Sequence, residues 1–255
     1  MLLALDVGNT HTTFGVFEGT TLIANWRVTS SARRTTDEWG FLCAGLLAER
    51  DIAISDIQEA ALSCVVPPVG DMLQELFTEK WNIAFLALGP GIRTGLSIRA
   101  EPKEVGADRI ANAVGAMHRY GGNIIIIDFG TATTFCVVTA EGEYLGGAIA
   151  PGIAISAEAL YEKTAKLPRV GIEVPERPIG RNTVEAVHIG LFHGQMGMSR
   201  EMVNRIKAIL PPPVTVVGTG GWGKLLWRHC DFIDYYDPFL TLEGLRIIYG
   251  LNKRA

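Results

Sequence analysis

A short apolar run that ends in aspartate, passes a glycine turn and returns as a β-branched strand is written twice in this chain. The first copy is Leu2 to Leu5, Asp6-Val7-Gly8-Asn9-Thr10, then Thr12-Thr13-Phe14-Gly15-Val16-Phe17. The second is Ile124 to Ile127, then Asp128-Phe129-Gly130-Thr131-Ala132-Thr133-Thr134-Phe135. Apolar runs of this length fit strands covered on both faces. A glycine turn beyond the strand brings main-chain N–H groups and hydroxyls close to a phosphate, and the aspartate can hold a cation. One such hairpin, taken alone, reads equally well as a plain turn. Repetition changes the reading. Laid on one another, the copies match Asp6 with Asp128, Gly8 with Gly130, Thr12 with Thr134 and Val16 with Val138, and Glu18-Gly19 answers Glu141-Gly142. The prediction is two halves built alike, residues 1–120 and 121–255, meeting near Gly121-Gly122 and each giving one loop to a nucleotide cleft.

The rest of the pattern is α/β. Leu22 to Val28 continues as a third strand, and Thr35 or Thr36 caps a helix with Asp37 and Glu38 in its first turn and Trp39, Leu42, Cys43, Leu46 and Leu47 at helical spacing. Ile57 to Val66 reads as a strand stopped by Pro67-Pro68, Val69 to Thr78 as a helix and Ile83 to Leu88 as a strand. A helix follows Val105-Gly106-Ala107-Asp108-Arg109, another starts at Pro151-Gly152, and one of about twenty residues follows Asn182-Thr183. Val214 to Val217 is a strand before Gly218-Thr219-Gly220-Gly221, and Leu240 to Leu245 opens a final helix. At 255 residues the chain has room for two modest cores.

Charge and cysteine usage remove several classes of function. A net charge of −4 gives no field for holding nucleic acid. No apolar run reaches the roughly 20 residues of a membrane span, and the first residues lack the basic region and cleavage site of a signal peptide. Cys43, Cys64, Cys136 and Cys230 form no Cys-x-x-Cys pair, and His188 and His193 are not at the spacing of a helical metal pair, so neither zinc nor a disulfide framework is expected. The expectation is a cytoplasmic protein.

Two aspartates at strand ends, Asp6 and Asp128, suit magnesium or a monovalent cation beside phosphates, or else accept hydrogen bonds from their own turns. Gly106-Ala107-Asp108-Arg109 places an acid and a base at a helix start. There the Asp could take a hydroxyl proton and the Arg bind a carboxylate, or the pair could be a cap and a surface partner. Gly218 to Gly221 is either a close-approach loop for adenine or ribose or a bare turn.

Taken together and in order, Asp6 to Thr10, Val105 to Arg109, Asp128 to Thr134, Gly146-Gly147-x-Ile149-Ala150-Pro151-Gly152, Gly180-Arg181-Asn182-Thr183 and Leu240 to Leu245 resemble the type III pantothenate kinases across essentially the whole chain. The resemblance implies the fold of the acetate and sugar kinase, Hsp70 and actin superfamily: two ribonuclease-H-like halves with mixed sheets flanked by helices, ATP between them, and a homodimer. It implies phosphorylation of pantothenate to 4′-phosphopantothenate by ATP, with magnesium and potassium or ammonium, at the first step of coenzyme A synthesis. By position, Asp6, Val7, Gly8, Asn9, Thr10, His11, Thr12 and Thr13 are then the first phosphate loop, with Asp6 the magnesium candidate. Thr131 contacts ATP, Asp128 holds the monovalent cation, and Asp108 is the general base. Gly106, Ala107, Asp108 and Arg109 line the pantothenate pocket with Thr183. Two positions depart from the family pattern: Ile98-Arg99-Ala100-Glu101-Pro102 lacks the Tyr usual before the Pro, and Cys136 stands where an Asp is usual. A same-fold kinase for another small hydroxy acid, or a weakly active relative with a regulatory or accessory role, are the alternatives.

Overall fold

The computed structural model describes all residues except 102–103 and 254–255. In chain order the elements are β1 (Leu2–Val7), β2 (His11–Glu18), β3 (Thr21–Thr29), α1 (Thr36–Ala48), β4 (Glu59–Cys64), α2 (Pro67–Glu75), β5 (Ala84–Ala87), β6 (Ser97–Ile98) and α3 (Ala107–Tyr120). Then follow β7 (Asn123–Phe129), β8 (Ala132–Val138), β9 (Glu143–Pro151), α4 (Ile153–Lys163), α5 (Thr183–Lys207), β10 (Val214–Thr219), α6 (Gly223–Trp227), β11 (Tyr235–Tyr236) and α7 (Leu240–Asn252). They form two compact units, Met1–Arg119 with Phe239–Ala255, and Tyr120–Pro238.

In the first unit the sheet runs β3-β2-β1-β4-β5, with β1 antiparallel to β2 and parallel to β4. Leu3, Leu5, Phe14 and Val16 point into a core with Trp39 and Leu47 of α1 and Val69 and Leu73 of α2. The opposite face is covered too, which is why β1 is apolar at nearly every position rather than at alternate ones. Trp39 is fully buried, with the Arg34 guanidinium 4.9 Å over its ring, and so belongs to this core. Thr35 closes a capping box at the start of α1, its hydroxyl accepting the Glu38 amide while the Glu38 carboxylate accepts the Thr35 amide.

The second unit repeats the plan. Its strands run β11-β10-β7-β8-β9, with β7 antiparallel to β8 and parallel to β10. Ile125, Ile127, Phe135 and Val137 pack on Phe192, Met196 and Val203 of α5. The repetition extends to a β-bulge in the second hairpin of each unit, between Val16 and Phe17 and between Val137 and Val138.

The units divide the chain differently from the expected cut at residues 120 and 121. α7 belongs to the first unit. A Cβ on Gly244 would lie 1.8 Å from the Ala111 carbonyl oxygen of α3, and one on Gly115 would lie 2.5 Å from the Leu240 carbonyl oxygen, so the two helices cross backbone to backbone. On the other side, the Leu242 side chain fills the space over Gly15 in β2. Such long-range packing decides where a terminal helix docks, and helical periodicity carries no record of it.

Candidate active site

The first loop is built from hydroxyls. Between β1 and β2 lie three residues, Gly8-Asn9-Thr10, and the Gly8 amide donates to the His11 carbonyl at 3.0 Å. Ser30 Oγ donates to the Gly8 carbonyl at 2.6 Å and lies 2.8 Å from Thr12 Oγ1. Because the single Ser30 hydroxyl proton is used on Gly8, the Thr12 hydroxyl is the donor between these two oxygens. Thr12 and Val7 are fully buried, so Val7 serves the loop by packing and Thr12 through its hydroxyl on Ser30, neither with a side chain open to solvent. Asp6, paired with Thr13 and Ser63 across the strands, accepts the Ser63 hydroxyl at 2.9 Å. Ser30 and Ser63 escaped the sequence reading because only the β1–β4 register and the chain's return after β3 bring them here.

Thr12→Val tests this relay. Valine keeps the shape but leaves Ser30 without its donor, at a cost of about 1–2 kcal/mol in urea unfolding. Since Ser30 then holds Gly8 less well, weaker ATP binding is expected alongside, read from ATP titrations of the variant.

The second loop has two residues, Gly130-Thr131, one fewer than the first. This shifts the match between copies. Asp128 stands opposite Thr134 as Asp6 stands opposite Thr13, and Thr133 is buried like Thr12. The equivalent of Thr12 is therefore Thr133 and that of Val16 is Val137, correcting the pairing of Thr12 with Thr134 and Val16 with Val138. Thr133 is held from α5, Gln195 Nε2 donating to its Oγ1 at 2.9 Å. This loop is set by close main-chain approach. A Cβ on Gly152, at the N-cap of α4, would lie 2.3 Å from the Thr131 carbonyl oxygen. One on Gly220 (φ +89°) would lie 2.3 Å from Asp128 Oδ1. Gly218 and Thr219 end β10 and Gly220 and Gly221 form the turn before α6, where what Gly220 approaches is the Asp128 carboxylate. The Trp222 amide donates to the Phe129 carbonyl as the Val65 amide does to Val7 in the first unit.

Asp108 lies in the first turn of α3, where its Oδ1 accepts the Arg109 amide at 2.8 Å. Burial holds its carboxyl above the usual carboxylate range, outweighing the downward pull of the Arg109 amide and guanidinium. A Cβ on Gly106 would lie 2.5 Å from Asp108 Oδ1 and 3.9 Å from Val65 Cγ1. Val65 donates its amide to the Val7 carbonyl at 3.0 Å, so the Gly106-to-Arg109 turn and the first loop share one edge of the first unit. Thr183 belongs to the second unit. It starts α5 behind the Asn182 cap and lines a cavity of about 630 Å³ with Ser156, Leu160, Lys163, Val187 and Leu191. Of the two departures, Cys136 is buried in β8 and Tyr144 Oη donates to its Sγ at 3.3 Å. Ile98, Arg99, Ala100 and Glu101 are described, and Pro102 lies outside the described residues. Among the described residues no three His, Cys, Asp or Glu side chains form a group able to hold a metal ion by themselves.

Residues 2–205 match the model of the type III pantothenate kinase family. The chain belongs to that family. Among type III pantothenate kinases, that of Myxococcus xanthus is 48% identical over 256 residues, covering all of both chains. That of Geobacillus kaustophilus is 46% identical over 253 residues, 99% of this chain and 98% of its own. Among solved structures, the inorganic polyphosphate/ATP-glucomannokinase of Arthrobacter sp. strain KM superposes with a TM-score of 0.53 at 13% identity over 99% of each chain. The type III pantothenate kinase motifs thus sit on the actin-like ATPase and sugar kinase fold, two mixed sheets flanked by helices, as the sequence led one to expect.

Proposed function

We propose that this chain transfers the γ-phosphoryl group of ATP to the 4′-hydroxyl of pantothenate, in the cytoplasm, as the first step of coenzyme A synthesis. The observation that carries the reading is the Asp108 carboxylate, raised by burial and placed beside the first loop through Gly106, Val65 and Val7. A base of raised affinity accepts the hydroxyl proton more readily than an ordinary carboxylate, and Arg109 offers a fork for the pantothenate carboxylate. Asp6 to Thr13 would cradle phosphate with main-chain N–H groups. One carboxylate, Asp6, fits magnesium, which takes its remaining ligands from phosphate oxygens and water. Asp128, packed under Gly220, fits a monovalent cation beside Thr131. The bound cations would neutralise phosphate charge, while the protein supplies position and the base.

A homodimer is part of the proposal. The second unit leaves Ile155, Leu160, Tyr161, Ile179 (78% exposed) and Val184 uncovered, and Leu160 also lines the cavity that Thr183 lines. Apolar exposure of this kind marks a contact surface. A coupled assay of ADP release with pantothenate, magnesium and potassium tests the reaction, and turnover is expected. ATP binding without turnover on pantothenate would overturn it. The segment Ile98 to Glu101, which has no Tyr, favours a second reading, a kinase for a related small hydroxy acid, tested by a panel of such acids in the same assay.

A further inference from the structure

The first loop carries an imidazole that no step above uses. His11 opens β2, and its carbonyl accepts the Gly8 amide, so its main chain closes the turn. Arg27 of β3 pairs in register with Thr13, and its Nη2 lies 2.8 Å from His11 Nδ1. A guanidinium has only donors, so Nδ1 must be the acceptor. The ring is then neutral and its one proton is on Nε2, which has no hydrogen-bond partner among the described residues. The charged groups around it agree. On the β3 side stand Arg27 and Arg34, whose Nη1 donates to the carbonyl of Thr29, the residue paired with His11. On the β1 side Val7 is apolar and the Asp6 carboxylate accepts from Ser63. Burial first, and then the Arg27 charge, holds the imidazole below its ordinary value.

We propose that His11 is a neutral N–H donor to a phosphate oxygen of the bound nucleotide, and that Arg27 is the positioning residue that fixes the proton on Nε2. This rests on the reading of Asp6 to Thr13 as the phosphate loop. The other neutral tautomer would turn a lone pair toward the phosphate, and Arg27 excludes it by occupying Nδ1.

The test uses the full chain with magnesium–ATP as the probe. Nitrogen NMR of the imidazoles reads the His11 tautomer directly, and Nε2–H is expected, with its resonance moved by ATP. His11→Ala should raise the KM for ATP about 5- to 10-fold, the worth of one hydrogen bond, and His11→Gln, which restores an N–H at similar reach, should recover most of it. Arg27→Gln should add a step in the KM for ATP near pH ~6.5, where an ordinary imidazole gains its proton as pH falls, while Arg27→Lys should restore the parent profile. An Nδ1–H tautomer, a His11 resonance unmoved by ATP, or parallel profiles for parent and Arg27→Gln would overturn the proposal. A moved resonance without turnover on pantothenate would count against the kinase reading alone.

Discussion

Asp108→Asn is expected to lower turnover about 10²- to 10⁴-fold, the usual worth of a positioned general base, while ATP binding is unchanged. Asparagine keeps an oxygen for the Arg109 amide, so the first turn of α3 should survive and the loss should fall on kcat rather than on folding. The pH dependence has a definite sign. A carboxylate base works ionised, and the Asp108 carboxyl lies above the ordinary ~3.9 of Asp, so under the proposed role kcat/KM for pantothenate should fall as pH drops through that raised value. The same shift acts on stability. A carboxyl whose folded value is raised favours the folded state most when protonated, at low pH, and that contribution is lost as pH climbs through the raised value. At neutral pH the parent therefore carries a cost that Asp108→Asn lacks, and the variant should melt no lower than the parent. Turnover retained in Asp108→Asn, or a variant markedly less stable near pH 7, would refute the assignment.

Gly244→Ala should be the most damaging single methyl in the first unit. Its Cβ would stand 1.8 Å from the Ala111 carbonyl oxygen and 2.6 Å from the carbonyl carbon, both main-chain atoms of α3 that no rotamer change can move. The helices must separate, at about 3 kcal/mol or more, the upper end of overpacking costs. α3 begins at the Asp108 turn, so whatever folded enzyme remains should also turn over more slowly. Gly250 on the same helix is the control, since a Cβ there meets nothing within 4 Å. Gly250→Ala should stabilise by about 0.5–1 kcal/mol, the helix-propensity gain of alanine over glycine. Urea unfolding of both variants checks the pair, and equal effects would mean the α3–α7 crossing is looser than its geometry.

These expectations show what the sequence exposes and what it hides. The duplicated strand, aspartate and glycine turn are legible because each follows from local pattern. Their alignment slipped by one after the turn because the first loop holds three residues and the second two, which a match anchored on Asp6 and Asp128 does not see. Thr-Thr-Phe, present in both copies, was the available signal for the true register. Ser63 meets Asp6 only through a parallel pairing, and Arg27 meets His11 only across an antiparallel one, so neither has a short-range signature. Cys136, which stands where the family pattern has an Asp, lies in the buried interior with the Tyr144 hydroxyl, a burial the sequence does not announce. Asp108 and the first loop, far apart in sequence, lie on one edge of the first unit through Gly106, Val65 and Val7, a proximity no local pattern shows.

The duplicated loops are held in unlike ways. Ser30, Thr12 and Ser63 fasten the first with rotatable hydroxyls, whereas Gly152 and Gly220 fasten the second by leaving no room for a Cβ. The first is adjustable: conservative substitutions should grade nucleotide affinity in steps, and amide exchange there should respond to temperature and ligand. The second behaves like a machined seat, intolerant of any side chain at its two glycines and sensitive around them chiefly at the buried Gln195–Thr133 bond. A chain built from one plan used twice has thus become mechanically asymmetric, and variation that tunes nucleotide affinity should accumulate in the first copy rather than the second.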